Sequence, residues 1–269
     1  MPTFFAYFYA PFRFSPIFRQ FVRREILGRY RGSMLGITWA FISPLSMLAV
    51  YTFVFVEIFK AKWPGATELG GLAFSQRIFA GLMVFNLFSE MVARAPTLIL
   101  EQVNLVKKVF FPLELLPFIV LGSALFHFFL STIILTVSIV AFSQEISFYL
   151  LLLPIVILPL IPLVLGVSWL LAALGVYLRD LGQIVTLLVS LLMFMSPIFY
   201  STQSLSTRWQ YWLNFNPLTH VIENLRLVTF SGAPPNWVHW WTGLATGCIV
   251  AIVGAWTFSK TRDGFADVL

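Results

Sequence analysis

The sequence predicts an all-α integral membrane chain, on three observations. Of its 269 residues, 59% are hydrophobic and only 10% are charged, where a soluble domain carries about 25% charged residues. The mean hydropathy is +0.89. Six apolar stretches are long enough to cross the bilayer as helices, since about 30 Å of hydrocarbon takes roughly 20 helical residues.

These stretches cover 35–59, 76–100, 113–142, 148–177, 181–200 and 238–258. The fifth follows the fourth after only a tight turn. Counting basic residues by side sets the orientation. Twelve of the seventeen share the side of the N-terminus: Arg13, Arg19, Arg23, Arg24, Arg29, Arg31, Arg94, Lys107, Lys108, Arg179, Lys260 and Arg262. Five fall on the other: Lys60, Lys62, Arg77, Arg208 and Arg226. Both termini are therefore expected in the cytoplasm. Residues 1–34 then form a cytoplasmic N-terminal region, 35–259 a six-span membrane domain and 260–269 a cytoplasmic tail.

The net charge of +6 does not indicate nucleic acid, because no basic stretch interleaves with aromatics on a soluble domain. The aromatic N-terminus lacks the pattern of a cleavable signal peptide. Cys248, the single cysteine, permits no internal disulfide and reads as a small packed side chain. Pro44, Pro96, Pro117, Pro154, Pro159 and Pro162 fall inside the expected spans. Each removes a backbone donor and kinks its helix, either as an ordinary bend or beside a wet cavity that satisfies the freed carbonyls.

Three segments are not simple spans. Residues 15–31 predict an amphipathic helix, with Ser15 as its cap and Pro16 at its first position. Ile17, Phe18, Phe21, Val22, Ile26 and Tyr30 share one arc, and Glu25 and Arg29, four apart, can pair. Such a helix lies along the cytoplasmic leaflet, as an anchor or as a docking surface. Residues 101–111 (EQVNLVKKVFF) suit a brief helix across the cytoplasmic face, with Val103, Val106 and Phe110 on one side. Residues 201–236 are long for a loop and apolar. Asn216-Pro217 divides them into two helical halves, which form either a hairpin dipping into the outer leaflet or an amphipathic pair resting on it. Glu223 and Arg226 can pair in the second half.

No G-x-x-x-x-G-K-[ST] occurs, so the sequence has no phosphate-cradling loop. No Cys/His cluster has metal-ligand spacing, and no metal is expected. His127 lies deep in a span, as a hydrogen-bonding group between helices or a reactive one. Glu90 and Arg94, four apart with the acid first, form a candidate intramembrane pair, structural or gating. Gly243, Gly247 and Gly254 share a face suited to close helix contact.

Several runs together resemble the permease subunits of type-two ABC exporters of polysaccharides (O-antigen, capsule, teichoic acid). They are RREILGRYRGSMLGITWAFISPL at 23–45, AGLMVFNLFSE at 80–90, NLVKKVFFPLELLP at 104–117, YLRDL at 177–181, SPIFY at 196–200 and NPLTHVIENLR at 216–226. The likeness covers nearly the whole chain. It implies a homodimer in the bacterial inner membrane, with an N-terminal interface helix, a cytoplasmic coupling helix and a re-entrant outer gate. Separate nucleotide-binding subunits hold ATP and Mg, and this chain binds no cofactor. By the same likeness, Glu101, Asn104, Lys107 and Lys108 belong to the coupling helix. Arg19, Arg23, Arg24, Arg29, Arg31, Arg179 and Asp180 face the nucleotide-binding subunit, and Asn216, Pro217, Glu223 and Arg226 shape the gate. Trp39, Tyr51, Phe85, Phe88, Phe126, Phe199 and Tyr200 are the aromatic candidates for a channel on which sugar faces slide, the cargo being a lipid-linked glycan such as O-antigen.

Two rivals stay open. A permease of the same fold carrying a drug or small lipid needs no aromatic conduit. A membrane enzyme acting on lipid-linked sugar needs two of Glu57, Glu90 and Glu114 together in one pocket, where they would shift each other's pKa.

Overall fold

A computed structural model describes residues 4–60, 70–103, 111–142 and 147–268, and among these there are helices and no strand. The longer helices are α1 (Ser15–Arg29), α2 (Trp39–Phe53), α3 (Gly70–Arg94), α4 (Leu116–Ala141), α5 (Leu160–Tyr177), α6 (Leu181–Met195), α7 (Thr207–Leu213), α8 (Pro217–Phe230) and α9 (Trp237–Thr261). With their flanking turns, five are long and apolar enough to cross a bilayer: Gly36–Ile58, Gly71–Thr97, Leu113–Ala141, Phe148–Tyr177 and Trp237–Gly264. The chain is a multi-pass membrane protein.

The stretch expected to form a full span over 181–200 is helical only over Leu181–Met195. Ser196 turns extended, with φ −99° and ψ 147°, because Pro197 crowds a helical conformation at the residue before it. Fifteen residues rise only about 22 Å as a helix, short of the roughly 30 Å hydrocarbon core.

Helix α3 is the centre of the bundle. In its most apolar stretch 72% of residues are buried, against 6% for the span containing α2. Helices α5 and α9 approach most closely where Gly254 meets Gly166. A Cβ on Gly254 would lie 2.0 Å from the Gly166 carbonyl oxygen, so backbone packs on backbone, as small residues permit between membrane helices. Cys248 is exposed on α9, not packed as expected, because the close face of that helix is occupied by the glycines at 243, 247 and 254.

The prolines differ from expectation. Pro44 sits well inside a helix, and Pro162 is the third residue of α5. Pro117 and Pro154 stand in first turns, Pro159 caps α5, and Pro96 opens a short 3-10 turn after α3. At a helix start the missing N–H is an orphan in any case, so these prolines mark where helices begin.

Helix α1 begins at Ser15 with Phe14 as its cap residue, and the Ser15 side chain makes no capping bond. Its apolar arc packs on the bundle through Ile17, Phe18, Phe21 and Val22, and Gly122 of α4 leaves room for Val22. A Cβ at 122 would meet Val22 Cγ2 at 2.8 Å.

Candidate functional site

Two polar constructions stand out in this apolar bundle, one at each end. The first joins α1 to α3 and α4. The Arg29 guanidinium, at the end of α1, donates to Glu90 Oε1 at 2.7 Å and to Oε2 at 3.2 Å. His127 of α4 completes the cluster, its Nδ1 3.2 Å from Glu90 Oε2 and its Nε2 2.9 Å from the Tyr30 hydroxyl. One turn beyond Glu90, Arg94 donates to Glu25 of α1 and lies 3.5 Å from Glu101. The Thr97 hydroxyl donates to the same Glu101 at 2.7 Å.

The pairings expected within single helices, Glu90 with Arg94 and Glu25 with Arg29, are thus replaced by two pairings between helices. The reason is geometric. An i,i+4 pair on one exposed helix is worth only a few tenths of a kcal/mol, whereas crossing partners satisfy both charges where lipid and apolar side chains cannot. His127 accordingly bridges helices. The cluster borders a cavity of about 380 Å³ between α2, α3 and α4, with Ser43, Tyr51, Asn86 and Ser131 among its lining residues.

At the same end of the bundle, Arg262 after α9 donates to Glu114 at 2.9 Å, and the Trp169 indole donates to the Glu114 carbonyl at 3.2 Å. Arg179 and Asp180 form the exposed turn between α5 and α6, and Arg19, Arg23, Arg24, Arg29 and Arg31 are exposed along and after α1. Arg24 rests on the Phe21 ring, 4.2 Å from its centroid. Glu101 is exposed, while Asn104, Lys107 and Lys108 lie outside the described residues.

The second construction is at the opposite end. Asn216 caps α8 by accepting from Leu218 N–H at 3.0 Å, with Pro217 next in line. Its amide donates to Ser196 Oγ at 2.9 Å, which ties the α8 start to the break after α6. Most of α8 is buried, as suits a segment packed within the protein and not one resting on its surface. Arg226 is its keystone, with only 5% of its surface exposed. It donates to the carbonyls of Pro197 at 2.6 Å, Ile198 at 2.7 Å and Arg77 at 3.1 Å, and to Glu223 at 3.1 Å. Burial pushes its pKa down to about 10, so it remains a cation at neutral pH. One planar fork therefore fixes α8, the 196–200 segment and α3 together.

The aromatic candidates separate into two groups. Phe85 and Phe88 are buried, at 4% and 8% exposure, and pack in the core. Neither offers a face to a passing chain in this conformation, because α3 is the central helix. Trp39 is exposed, Tyr51 borders the cavity, Phe126 lines a groove beside α1, and Phe199 stacks on Phe194. Tyr200 shares an apolar cleft with Trp209 and Trp212. Glu57, Glu90 and Glu114 do not converge. Glu90 borders the polar cavity, Glu57 an apolar groove between α2 and α4, and Glu114 pairs with Arg262. The convergent carboxylates that an enzyme would need are not among them.

Sequence reasoning missed two features. Arg29 as the partner of Glu90 is invisible to helical spacing, although an acid and a His inside apolar spans were a signal to look for a cation beyond them. A polar stripe on α6 (Gln183, Thr186 and Ser190, all exposed) was legible as a three-to-four-residue period in an otherwise apolar helix.

Residues 17–230 match the family model described as ABC-2 type transporter. The chain is 28% identical over 248 residues to the O-antigen export system permease protein RfbA of Myxococcus xanthus, covering 91% of this chain and 92% of that one. It is 23% identical over 247 residues to a Klebsiella pneumoniae protein of the same name, again covering 91% and 92%.

Proposed function

The chain belongs to the ABC-2 type transporter family, and on that premise we propose that it is the membrane subunit of an exporter of lipid-linked polysaccharide, O-antigen in particular. Membership makes it a transport subunit and not an enzyme, and implies a nucleotide-binding partner subunit. The observation that carries the finer reading is the likeness across 91% of the chain to permeases whose names specify O-antigen export.

In this reading two copies enclose the path, ATP and Mg sit in the partner subunit, and both termini are cytoplasmic in a bacterial inner membrane. The segment 196–200 completes a sixth crossing begun by α6. The polar stripe of Gln183, Thr186 and Ser190 supports a wet path, since such groups are disfavoured against lipid, and the remaining exposed apolar surface of α2 and α6 meets the second copy or lipid. Helix α1 and the exposed arginines receive the partner. The α1 ion pairs pass its movement to α3, and α8 with Arg226 holds the outer gate. Of the aromatic candidates, Trp39, Tyr51, Phe126, Phe199 and Tyr200 remain for the sliding of sugar faces.

Deletion of the gene tests the proposal. The expected result is loss of surface polysaccharide with accumulation of lipid-linked polymer on the cytoplasmic side. Unchanged surface polysaccharide without accumulation would refute it.

A further inference from the structure

The outer end of the bundle holds a second cavity, of about 330 Å³, between α7, α8 and the start of α9. That is the lower end of the range for ligand pockets, roughly 300–1,000 Å³. Its chemistry is opposite to that of the rest of the protein, because every lining side chain but Leu227 is polar. The groove between α2 and α4, by contrast, is lined almost wholly by aliphatic and aromatic groups.

The polar groups have a definite character. Gln203, Gln210, Asn214, Asn224 and Asn236 are amides, groups that carry both donors and an acceptor. Gln210 already donates to the Leu205 carbonyl, Asn224 is bonded to the Asn236 backbone, and the Asn236 oxygen caps α9. The one ionised lining group, Glu223, is paired with Arg226 at 3.1 Å. Arg226 itself points away, into the carbonyls of residues 77, 197 and 198. The cavity thus has no free cation to attract an anion and no uncompensated acid to attract a metal. On one wall the rings of His220 and His239 lie 4.5 Å apart, and burial, reinforced by His239, holds the His220 pKa below its usual value.

We propose that this cavity binds a neutral, polyhydroxylated ligand, a single pyranose unit of a glycan, on the outer face of the protein. Sugar hydroxyls are at once donors and acceptors, as amides are, and an imidazole face receives sugar C–H groups. Gln203 and Asn214 are exposed, and their side-chain amides make no hydrogen bond with the described residues, so they are free to engage a ligand. The identity of the sugar with the exported chain rests on the export reading above; the chemistry of the pocket does not.

The test uses the full-length chain in lipid nanodiscs, probed by saturation-transfer NMR with the methyl glycosides of glucose, mannose, galactose and rhamnose, and with glucuronate as a charged control. Transfer to at least one neutral glycoside and none to glucuronate is expected. Q203A combined with N214A should weaken it about tenfold, as the loss of two neutral hydrogen bonds predicts. The near-isosteric N214L alone, which removes donors and acceptor but keeps the volume, should weaken it less than the pair. No transfer to any neutral glycoside, preference for glucuronate, or transfer indifferent to Q203A and N214A would overturn the proposal. Sugar binding in a protein whose deletion leaves surface glycan unchanged would sink the export reading and leave the pocket standing. Normal export by a chain that binds no glycoside would do the reverse.

Discussion

Arg29 closes α1 onto Glu90 of α3 with a 2.7 Å bond from Nη2 to Oε1, across 61 residues of sequence. The Glu90 side chain is only 15% exposed, so it has few alternatives to this partner and His127. Together with Glu25 and Arg94, the pair makes α1 an arm fixed to the central helix at two points about one helical turn apart. A push on α1 therefore reaches the middle of the bundle through two ion pairs that act side by side.

That arrangement predicts coupling between the two residues. R29A and E90A should each weaken export while leaving the partner's ATP hydrolysis largely intact. Their effects on thermal stability should be non-additive by about 1 kcal/mol, within the range for residues sharing one ionic network; Arg29 is partly exposed, which keeps the figure small. A double-mutant cycle on purified protein checks this, and strict additivity would contradict it.

Arg226 serves three carbonyls and a carboxylate at once. R226A strands them in a buried site and should cost about 3 kcal/mol or more. R226K should recover only part, because an ammonium cannot reproduce the planar fork. Unfolding in detergent reports the cost, and proteolysis at 201–216 reports whether the segment before α8 has come loose.

Val22 and Gly122 are in close contact, and a side chain on Gly122 has nowhere to go unless α1 shifts. G122V should lift α1 from α4, at about 1–3 kcal/mol for overpacking, and reduce disulfide trapping between cysteines placed at 18 and 126. Adding V22A should restore both. Persistence of the defect in the double variant would show that Val22 is not the obstacle.

His220 gives a pH dependence. Its folded pKa is lowered by burial and then by His239, so the unfolded chain binds more protons just below the unperturbed value of about 6.5. Stability of the α7–α8 region is full above that value. It falls as the pH drops toward the lowered folded pKa. Tryptophan fluorescence of α7 against pH should show this loss, and H220Q should flatten it.

Local pattern carried much of this fold. Asn216-Pro217 divides the 201–236 segment, and Glu223 with Arg226 stand one turn apart, so the boundary and the pair were both legible. The motifs SPIFY and NPLTHVIENLR were read separately. Only folding shows that Arg226 of the second donates into the backbone of the first. Where the reading failed, long-range geometry decided. Helical spacing suggested that Glu90 meets Arg94, yet α1 supplies each with a better partner from the other side. Phe85 and Phe88 are buried within the single chain, and the sequence does not tell burial in a central helix from facing a path. Pro117, Pro154 and Pro159 were read as kinks because the sequence does not show where in each apolar stretch the helix begins.

The proposed activity is movement of a lipid-linked glycan driven by a partner's ATP. Its most direct test is reconstitution of the chain with its nucleotide-binding partner in proteoliposomes carrying lipid-linked glycan, followed by probing with a membrane-impermeant glycosidase. Export predicts that the glycan on the partner's side disappears from reach only when ATP is hydrolysed, and that R29A with E90A slows this movement. Steady ATP hydrolysis with no change in the glycan's accessibility would contradict the account.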